Sequence, residues 1–127
     1  MTITSKIRLR FRQLCKLIKL SIAWLVSLFI KDEDLWLISE RGQDARDNAY
    51  FFFIWLKENH PEINAKYIIS KDSRDLSRLD KWSKDLIFYK TFNHYVRVCK
   101  AKYLISTHIM GYTPDANFYT RIDRILN

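Results

Sequence analysis

The chain has 127 residues, of which 48% are hydrophobic and 15% aromatic. This supply of apolar residues supports one core and gives no reason to expect a second full-size domain. With two prolines, two glycines and no low-complexity tract, wholesale disorder is not expected. Cys15 and Cys99 lie far apart without a CxxC or metal-ligand pattern, so we interpret them as reduced thiols of a cytoplasmic protein.

The net charge of +8 is concentrated at the amino terminus. Residues 1–31 carry seven lysines and arginines and no acidic residue, whereas residues 32–127 carry 15 basic and 14 acidic residues. The first segment therefore has a charge of +7 and the second a charge of +1. We predict two units, a basic segment at residues 1–31 and a nearly neutral domain at residues 32–127.

The basic segment shows helical periodicity. At about 100° per residue, one stripe of the helix carries the apolar residues Ile7, Phe11, Leu14, Ile18, Ile22 and Leu25. Four basic residues gather roughly opposite this stripe, namely Arg8, Arg12, Lys16 and Lys19. The most apolar part, LSIAWLVSLFI, has only 11 residues. Such a helix is about 16 Å long, too short to cross a hydrocarbon core of roughly 30 Å.

We interpret residues 1–31 as an amphipathic helix bound peripherally to the anionic cytoplasmic face of the plasma membrane. The basic side chains would contact lipid headgroups, and Trp24 and Phe29 would anchor the helix at the interface. The alternative is a helix that packs on the protein's own core. A signal peptide is disfavoured because KDED, at residues 31–34, ends the run without a small-residue cleavage site. Nucleic acid is not an expected partner, because residues 32–127 add no second basic patch.

Downstream of KDED, short apolar runs alternate with helical segments. The runs at 35–40, 66–70, 85–90 and 102–107 are nearly continuous rather than alternating, which is typical of strands buried on both faces of a parallel sheet. Helices are predicted between them at 47–60, 73–83 and 91–101, and a further helix at 117–127. The pattern therefore predicts an α/β fold, a Rossmann-like parallel sheet of about four strands preceded by the N-terminal helix.

The loop after the first strand, SERGQDARDN at residues 39–48, is the sharpest candidate for a binding site. Ligands of open α/β sheets bind beside the carboxyl ends of strands. Gly42 would allow close backbone approach, Asp47 precedes a predicted helix, and Arg41 and Arg46 could pair with phosphate. Neither a GxGxxG fingerprint nor a P-loop is present. The alternative is a solvated loop with a helix cap.

A second polar segment follows the fourth predicted strand. Thr107 and His108 come directly after YLIS at residues 103–106. A histidine at a strand end can act as a general base, but it can equally be a hydrogen-bonded structural group. The sequence leaves both interpretations open.

From Leu35 onward the sequence resembles the N-terminal part of the CDP-glycerol glycerophosphotransferase family, which builds teichoic acids and related capsular polymers. The resemblance rests on LWLISERGQDARDNAYFFFIWLKENHPEINAKYIIS and YLISTHIMGYTPD. It implies the first Rossmann-like domain of a GT-B transferase, with a polyol-phosphate or lipid-linked acceptor near the strand ends. The residues carried over, on the acceptor or phosphate side, are Ser39, Glu40, Arg41, Gly42, Asp47, Asn48, Thr107 and His108.

The chain departs from the family's pattern in length. Family members are about three times longer, and the histidine-glycine motif expected to supply the base follows this stretch. The resemblance therefore gives no catalytic residue, metal site or cofactor, and it implies a front portion that is inactive alone or is completed by a separate chain. The alternative that we kept is a free-standing, membrane-associated α/β binding or regulatory module.

Overall fold

The computed structural model describes residues 2–107. These residues form a four-stranded parallel sheet with the strand order β3-β2-β1-β4. The strands are β1 (Trp36–Ser39), β2 (Ala65–Ile69), β3 (Leu86–Phe88) and β4 (Tyr103–Ser106). The helices are α1 (Ile3–Ser27), α2 (Asn48–Asn59) and α3 (Phe92–Lys100). The predicted α/β fold and N-terminal helix are confirmed, whereas the helix expected at 117–127 lies outside the described residues.

The segment between β2 and β3 differs from its prediction. The sequence pattern predicted a helix at 73–83, and the chain instead forms 3₁₀ helix at Leu76–Asp85 with a kink at Trp82. Its charged and polar residues leave Leu79 as the only buried side chain of this segment. A 3₁₀ helix has poorer hydrogen-bond geometry than an α-helix and is normally short, so this connection is held mainly by its contacts with neighbouring elements.

Both faces of the sheet are covered, as the continuous apolar runs predicted. On one face, Ile38, Tyr67 and Ile69 pack with α2 and with Leu79 of the 3₁₀ segment. On the other face, Leu37, Ile68 and Ile87 pack with Val98 of α3. Successive residues of a strand point to opposite faces, and residues 67–69 of β2 are all fully buried. The two-sided burial explains why these strands lack a polar alternation.

The strand order places a topological switch point between β1 and β4. The chain builds β1, β2 and β3 outward in one direction and then returns through α3 to add β4 beside β1. The carboxyl ends of these strands meet in register, with Ser39 opposite Ser106. In open α/β sheets, ligands bind at this position. Within the described part, β4 pairs only with β1, and its Tyr103 and Leu104 are 46% and 39% exposed.

Helix α1 packs on α3 through a narrow strip near its carboxyl end. Leu20, Ala23 and Ser27 are its buried residues. The six residues of the apolar stripe are between 47% and 66% exposed, and they are Ile7, Phe11, Leu14, Ile18, Ile22 and Leu25. Trp24 and Phe29 are 54% and 85% exposed. The predicted membrane-contacting basic side chains are also exposed, and they are Arg8, Arg12, Lys16 and Lys19. No helix within residues 2–107 is both long and apolar enough to cross a membrane.

Asp32, which precedes β1, contacts the loop before β2, β2 itself and α3 at the amino-terminal end of the sheet. Its carboxylate is buried and accepts hydrogen bonds from Asn64 Nδ2 at 2.6 Å and Lys66 Nζ at 3.0 Å. Arg97 of α3 makes a second ion pair with it. Burial opposes ionisation, but the bonds from Asn64 and Lys66 and the charges of Lys66 and Arg97 outweigh it, so the pKa of Asp32 lies below its ordinary value.

Candidate functional site

The candidate site is the loop between β1 and α2, which we call the β1–α2 loop and define as residues 40–47. It lies at the carboxyl end of β1, beside the switch point. A shallow pocket of about 260 Å³ is lined by the side chains and backbone of Glu40, Arg41, Asp44, Arg46 and Asp47. All five lining residues belong to this one loop, so the conformation of the loop decides the shape of the pocket.

Glu40 organises the loop from inside. Its side chain is 2% exposed and turns toward the amino terminus of α2. Oε1 accepts from the backbone N–H of Asp47 at 2.6 Å, of Arg46 at 3.2 Å and of Tyr50 at 3.3 Å. The first N–H groups of a helix have no partner within the helix and favour negative charge. Glu40 therefore occupies the position where a bound phosphate would otherwise meet these amides.

Four consecutive backbone carbonyls of the loop, those of residues 42–45, accept hydrogen bonds from β2 and from the segment between β2 and β3. The four bonds run from Ser70 N–H to Gly42 O at 2.7 Å, from the Ser73 hydroxyl to Gln43 O, from the Tyr67 hydroxyl to Asp44 O at 2.8 Å, and from Arg78 Nη1 to Ala45 O at 3.0 Å. Burial raises the pKa of the Tyr67 phenol well above its ordinary value, so this hydroxyl remains a donor. These four hydrogen bonds hold the backbone of the loop without a contribution from a ligand.

Arg46 forms a bidentate ion pair with Asp75. Its Nε and Nη2 donate to the two carboxylate oxygens at 2.9 and 3.0 Å, and Ala45 N–H donates to Oδ2 at 3.0 Å. The bond from Arg46, followed by that from Ala45, lowers the pKa of Asp75 below its ordinary value. The Arg46 side chain is 58% exposed. Two nitrogens of the Arg46 guanidinium, Nε and Nη2, therefore donate to a partner within the protein, although the sequence suggested that Arg46 would bind phosphate.

Gly42 is required by an aromatic neighbour rather than by a ligand. Its φ of +82° lies in the left-handed region, and a Cβ built on it would lie 2.7 Å from two ring carbons of Tyr89. The Tyr89 ring in turn lies 5.4 Å from the ring of buried His94, whose Nδ1 accepts from Lys90 N–H at 3.0 Å. The loop after β3 thus supports the β1–α2 loop from the α3 side of the sheet.

The structure separates the sequence-predicted site residues into two groups. Ser39, Glu40 and Gly42 are buried, and the Ser39 hydroxyl has no hydrogen-bond partner among the described residues. The exposed group comprises Arg41, Asp47, Asn48 and Thr107. Asp47 caps α2 by accepting from Asn48 N–H at 2.8 Å. His108 lies outside the described residues.

Sequence reasoning missed four residues that shape the pocket. Asp44 lines it, and Tyr67, Asp75 and Tyr89 hold its backbone in place. The last three are between 22 and 50 positions away in sequence from the loop residues that they contact. No local pattern signals such contacts, although an acidic residue at 75 amid basic neighbours could have suggested an ion pair.

The charges that remain at the pocket are mixed. Glu40 is satisfied by helix amides and Arg46 by Asp75, and the pocket is also lined by Arg41 and by the carboxylates of Asp44 and Asp47. Carboxylates accept hydrogen bonds from hydroxyl groups but repel phosphate, whereas arginine binds phosphate. The arrangement suits a ligand with several hydroxyls and a single phosphate. Within residues 2–107, no group of three acidic, histidine or cysteine side chains could hold a metal ion.

Comparison with known proteins agrees with the sequence resemblance. Residues 20–122 match the family model described as CDP-glycerol:poly(glycerophosphate) glycerophosphotransferase. The minor teichoic acid biosynthesis protein GgaB of Bacillus subtilis (strain 168) is 34% identical over 74 residues, which cover 58% of this chain and 8% of GgaB. The chain thus spans a small part of that relative's length, and no solved structure matches it. Because the family model matches most of the chain, the protein belongs to the CDP-glycerol:poly(glycerophosphate) glycerophosphotransferase family.

Proposed function

We propose that this chain forms the acceptor side of a membrane-associated glycerophosphotransferase that extends teichoic acid or capsular polymers. The observation that carries the proposal is the family match over residues 20–122, which contains the whole sheet and the β1–α2 loop. The acceptor is a polyol-phosphate or lipid-linked chain. The pocket at the carboxyl end of β1 binds its hydroxylated end, with Arg41 toward a phosphate and Asp44 and Asp47 toward hydroxyls.

The size of the pocket supports an acceptor unit over the nucleotide-linked donor. Its volume of about 260 Å³ lies below the roughly 300–1,000 Å³ of pockets that enclose drug-sized ligands. The carboxylates of Asp44 and Asp47, which line the pocket, would also repel the two charged phosphates of CDP-glycerol. The donor is therefore bound by other parts of the family's architecture, either in GT-B fashion by a second domain or by a separate chain.

We expect the purified chain to bind the acceptor without catalysing transfer, and two assays test these expectations separately. The purified chain should transfer nothing from CDP-glycerol to a poly(glycerophosphate) primer by itself, because transfer requires a donor and a base positioned together. The same primer should shift the backbone amide resonances of residues 40–48. Asp44→Asn should weaken that shift, whereas Asp80→Asn, at an exposed position of the 3₁₀ segment, should not. Turnover that is abolished by His108→Ala would instead make His108 the base and the chain competent alone.

Membrane association is proposed from the exposed apolar stripe of α1 and its basic flank. Burial of apolar surface contributes about 25 cal/mol per Å², and each nearby lysine or arginine contributes roughly 1 kcal/mol at an anionic surface. Deleting residues 1–31 would uncover α3, since Leu20 and Ala23 are buried in the contact between α1 and α3. Substitutions in the stripe are therefore the better test.

We expect Leu14→Gln with Ile18→Gln to weaken cosedimentation with phosphatidylglycerol vesicles about 30-fold. Each residue is about half exposed, so transferring it to the bilayer contributes about 1 kcal/mol, and 1.4 kcal/mol is tenfold in affinity. The substitution Gln13→Asn, at an exposed position outside the stripe, is the control. Equal sedimentation of wild type and the Leu14/Ile18 variant would remove the membrane from the proposal.

A further inference from the structure

Helix α1 presents two different faces in the structure, and they point in opposite directions. Its buried residues, Leu20, Ala23 and Ser27, contact the body through α3. At about 100° per residue, the mean direction of these residues lies about 170° from that of the exposed apolar stripe. The stripe therefore points away from the domain, and α1 can keep its contact with α3 while the stripe is covered by something else.

The charges around the stripe decide what covers it. Residues 2–31 contain no acidic side chain, and the basic side chains of α1 are exposed along its length. A second copy of the same helix would bring these like charges together. An anionic lipid surface complements them and also accepts exposed aromatic residues such as Trp24 and Phe29. The occupant that fits both features is the headgroup region of an anionic bilayer.

We infer that the domain sits on the membrane with α1 sandwiched between the bilayer and α3, and with the β1–α2 loop on the far side of the sheet. This orientation rests on the proposed membrane association. Helix α3 covers the sheet face that contains Leu37 and Ile68, whereas Ala45 of the β1–α2 loop is buried in the opposite cluster, with α2. From the membrane outward, the order of layers is α1, α3, the sheet, and then α2 with the pocket.

The order of layers sets a distance that an acceptor has to cover. Packed helices lie about 8–10 Å apart, and a comparable spacing separates α3 from the sheet. The sheet therefore lies roughly 20 Å from the plane of α1, and the pocket lies at least as far away. A bare lipid headgroup does not reach that far, so the orientation selects an acceptor that already carries an extended chain from the membrane. The chain would then extend existing polymers rather than start them on lipid.

Labelled single-cysteine variants test the orientation directly. In the 127-residue chain with Cys15→Ser and Cys99→Ser, cysteine is introduced singly at four positions. These are Ile18→Cys in the stripe, Gln13→Cys away from the stripe, Ser27→Cys in the contact with α3, and Ser77→Cys on the α2 side of the sheet. Each introduced cysteine is labelled with an environment-sensitive fluorophore. The labelled protein is mixed with vesicles of equal parts phosphatidylglycerol and phosphatidylethanolamine, and phosphatidylcholine vesicles are the control.

On phosphatidylglycerol vesicles, the label at position 18 should shift to the blue and lose quenching by aqueous iodide, whereas the labels at positions 13 and 77 should change little. The thiol at position 27 should stay as protected from a water-soluble reagent as it is in solution. A reactive thiol at position 27 on vesicles would show that α1 leaves α3 and would overturn the orientation alone. A buried label at position 77 would overturn it as well. Failure of every variant to bind vesicles would overturn the proposed membrane association together with this inference.

Discussion

The buried carboxylate of Glu40 gives the sharpest test of how the pocket is built, and the substitution to examine is Glu40→Gln. The variant keeps the shape of the side chain and one oxygen for Asp47 N–H at 2.6 Å. It replaces the oxygen that lies 3.3 Å from Arg46 N–H with an amide nitrogen, which sets two donors against each other. The negative charge at the amino terminus of α2 is lost as well.

The expected cost is about 2 kcal/mol. The loss of a charge at a helix terminus contributes about 1 kcal/mol, and replacing one of the two bonds from Arg46 N–H with a contact between two donors contributes about another 1 kcal/mol. In a domain of this size, such a loss lowers Tm by roughly 6–10 °C. Glu40→Ala, which removes every acceptor, should cost more, about 3–4 kcal/mol.

Urea unfolding followed by circular dichroism measures the cost, and amide hydrogen exchange locates it. Exchange at Arg46, Asp47 and Tyr50 should accelerate in the Gln variant, while the amides of β2 follow only the global change in stability. Glu58→Gln is the matched control, because Glu58 is 53% exposed and its ion pair with Lys81 is 4.0 Å long; it should change stability by less than about 0.5 kcal/mol. Equal midpoints for the two Gln variants would refute the capping role of Glu40.

Two further variants probe the frame around the pocket. Because the pKa of Asp32 is lower in the folded state, its ion pairs stabilise the protein fully above the unfolded-state pKa of about 3.9 and are lost as pH falls through the folded-state pKa. Asp32→Asn should therefore cost about 2 kcal/mol near pH 7, somewhat less than a fully buried pair because Lys66 and Arg97 stay 20% exposed. It should also flatten the loss of stability that urea unfolding measures below about pH 5. Gly42→Ala should cost about 2–4 kcal/mol in the same assay, because φ is +82° and the new methyl group meets Tyr89 at 2.7 Å; a neutral effect would show that the loop rearranges freely.

The elements of the fold were predictable because their signals are local. Continuous apolar runs indicated strands covered on both faces, and each was found within two residues of its predicted bounds. Asp47 and Thr91 begin α2 and α3 with side-chain caps, which are also readable in sequence. The 3₁₀ segment was misjudged because its polar composition fits either helix type and its single buried residue, Leu79, does not distinguish them.

The candidate site was only partly predictable, because the roles of its residues were predicted from residue type without knowledge of the residues that they contact. Glu40 and Gly42 were placed in the correct loop, yet one caps a helix and the other accommodates an aromatic ring. Arg46 was expected to meet phosphate and instead meets Asp75. The outcomes for Gly42 and Arg46 depend on Tyr89 and Asp75, which the order of the strands brings close, and sequence separation conceals that proximity.

By itself, the sequence determined the class of the fold and the basic amphipathic character of α1, because composition and periodicity act over neighbouring residues, and its motifs carried the resemblance to the family. Tertiary structure decided which polar groups are consumed within the protein. Burial makes an unpaired polar group costly, and the packing of β2 and the segment after it beside β1 brings donors from Tyr67 and Arg78 to the carbonyls of Asp44 and Ala45. It also decided which side of α1 is covered, since α3 buries Leu20 and Ala23 and leaves the apolar stripe exposed.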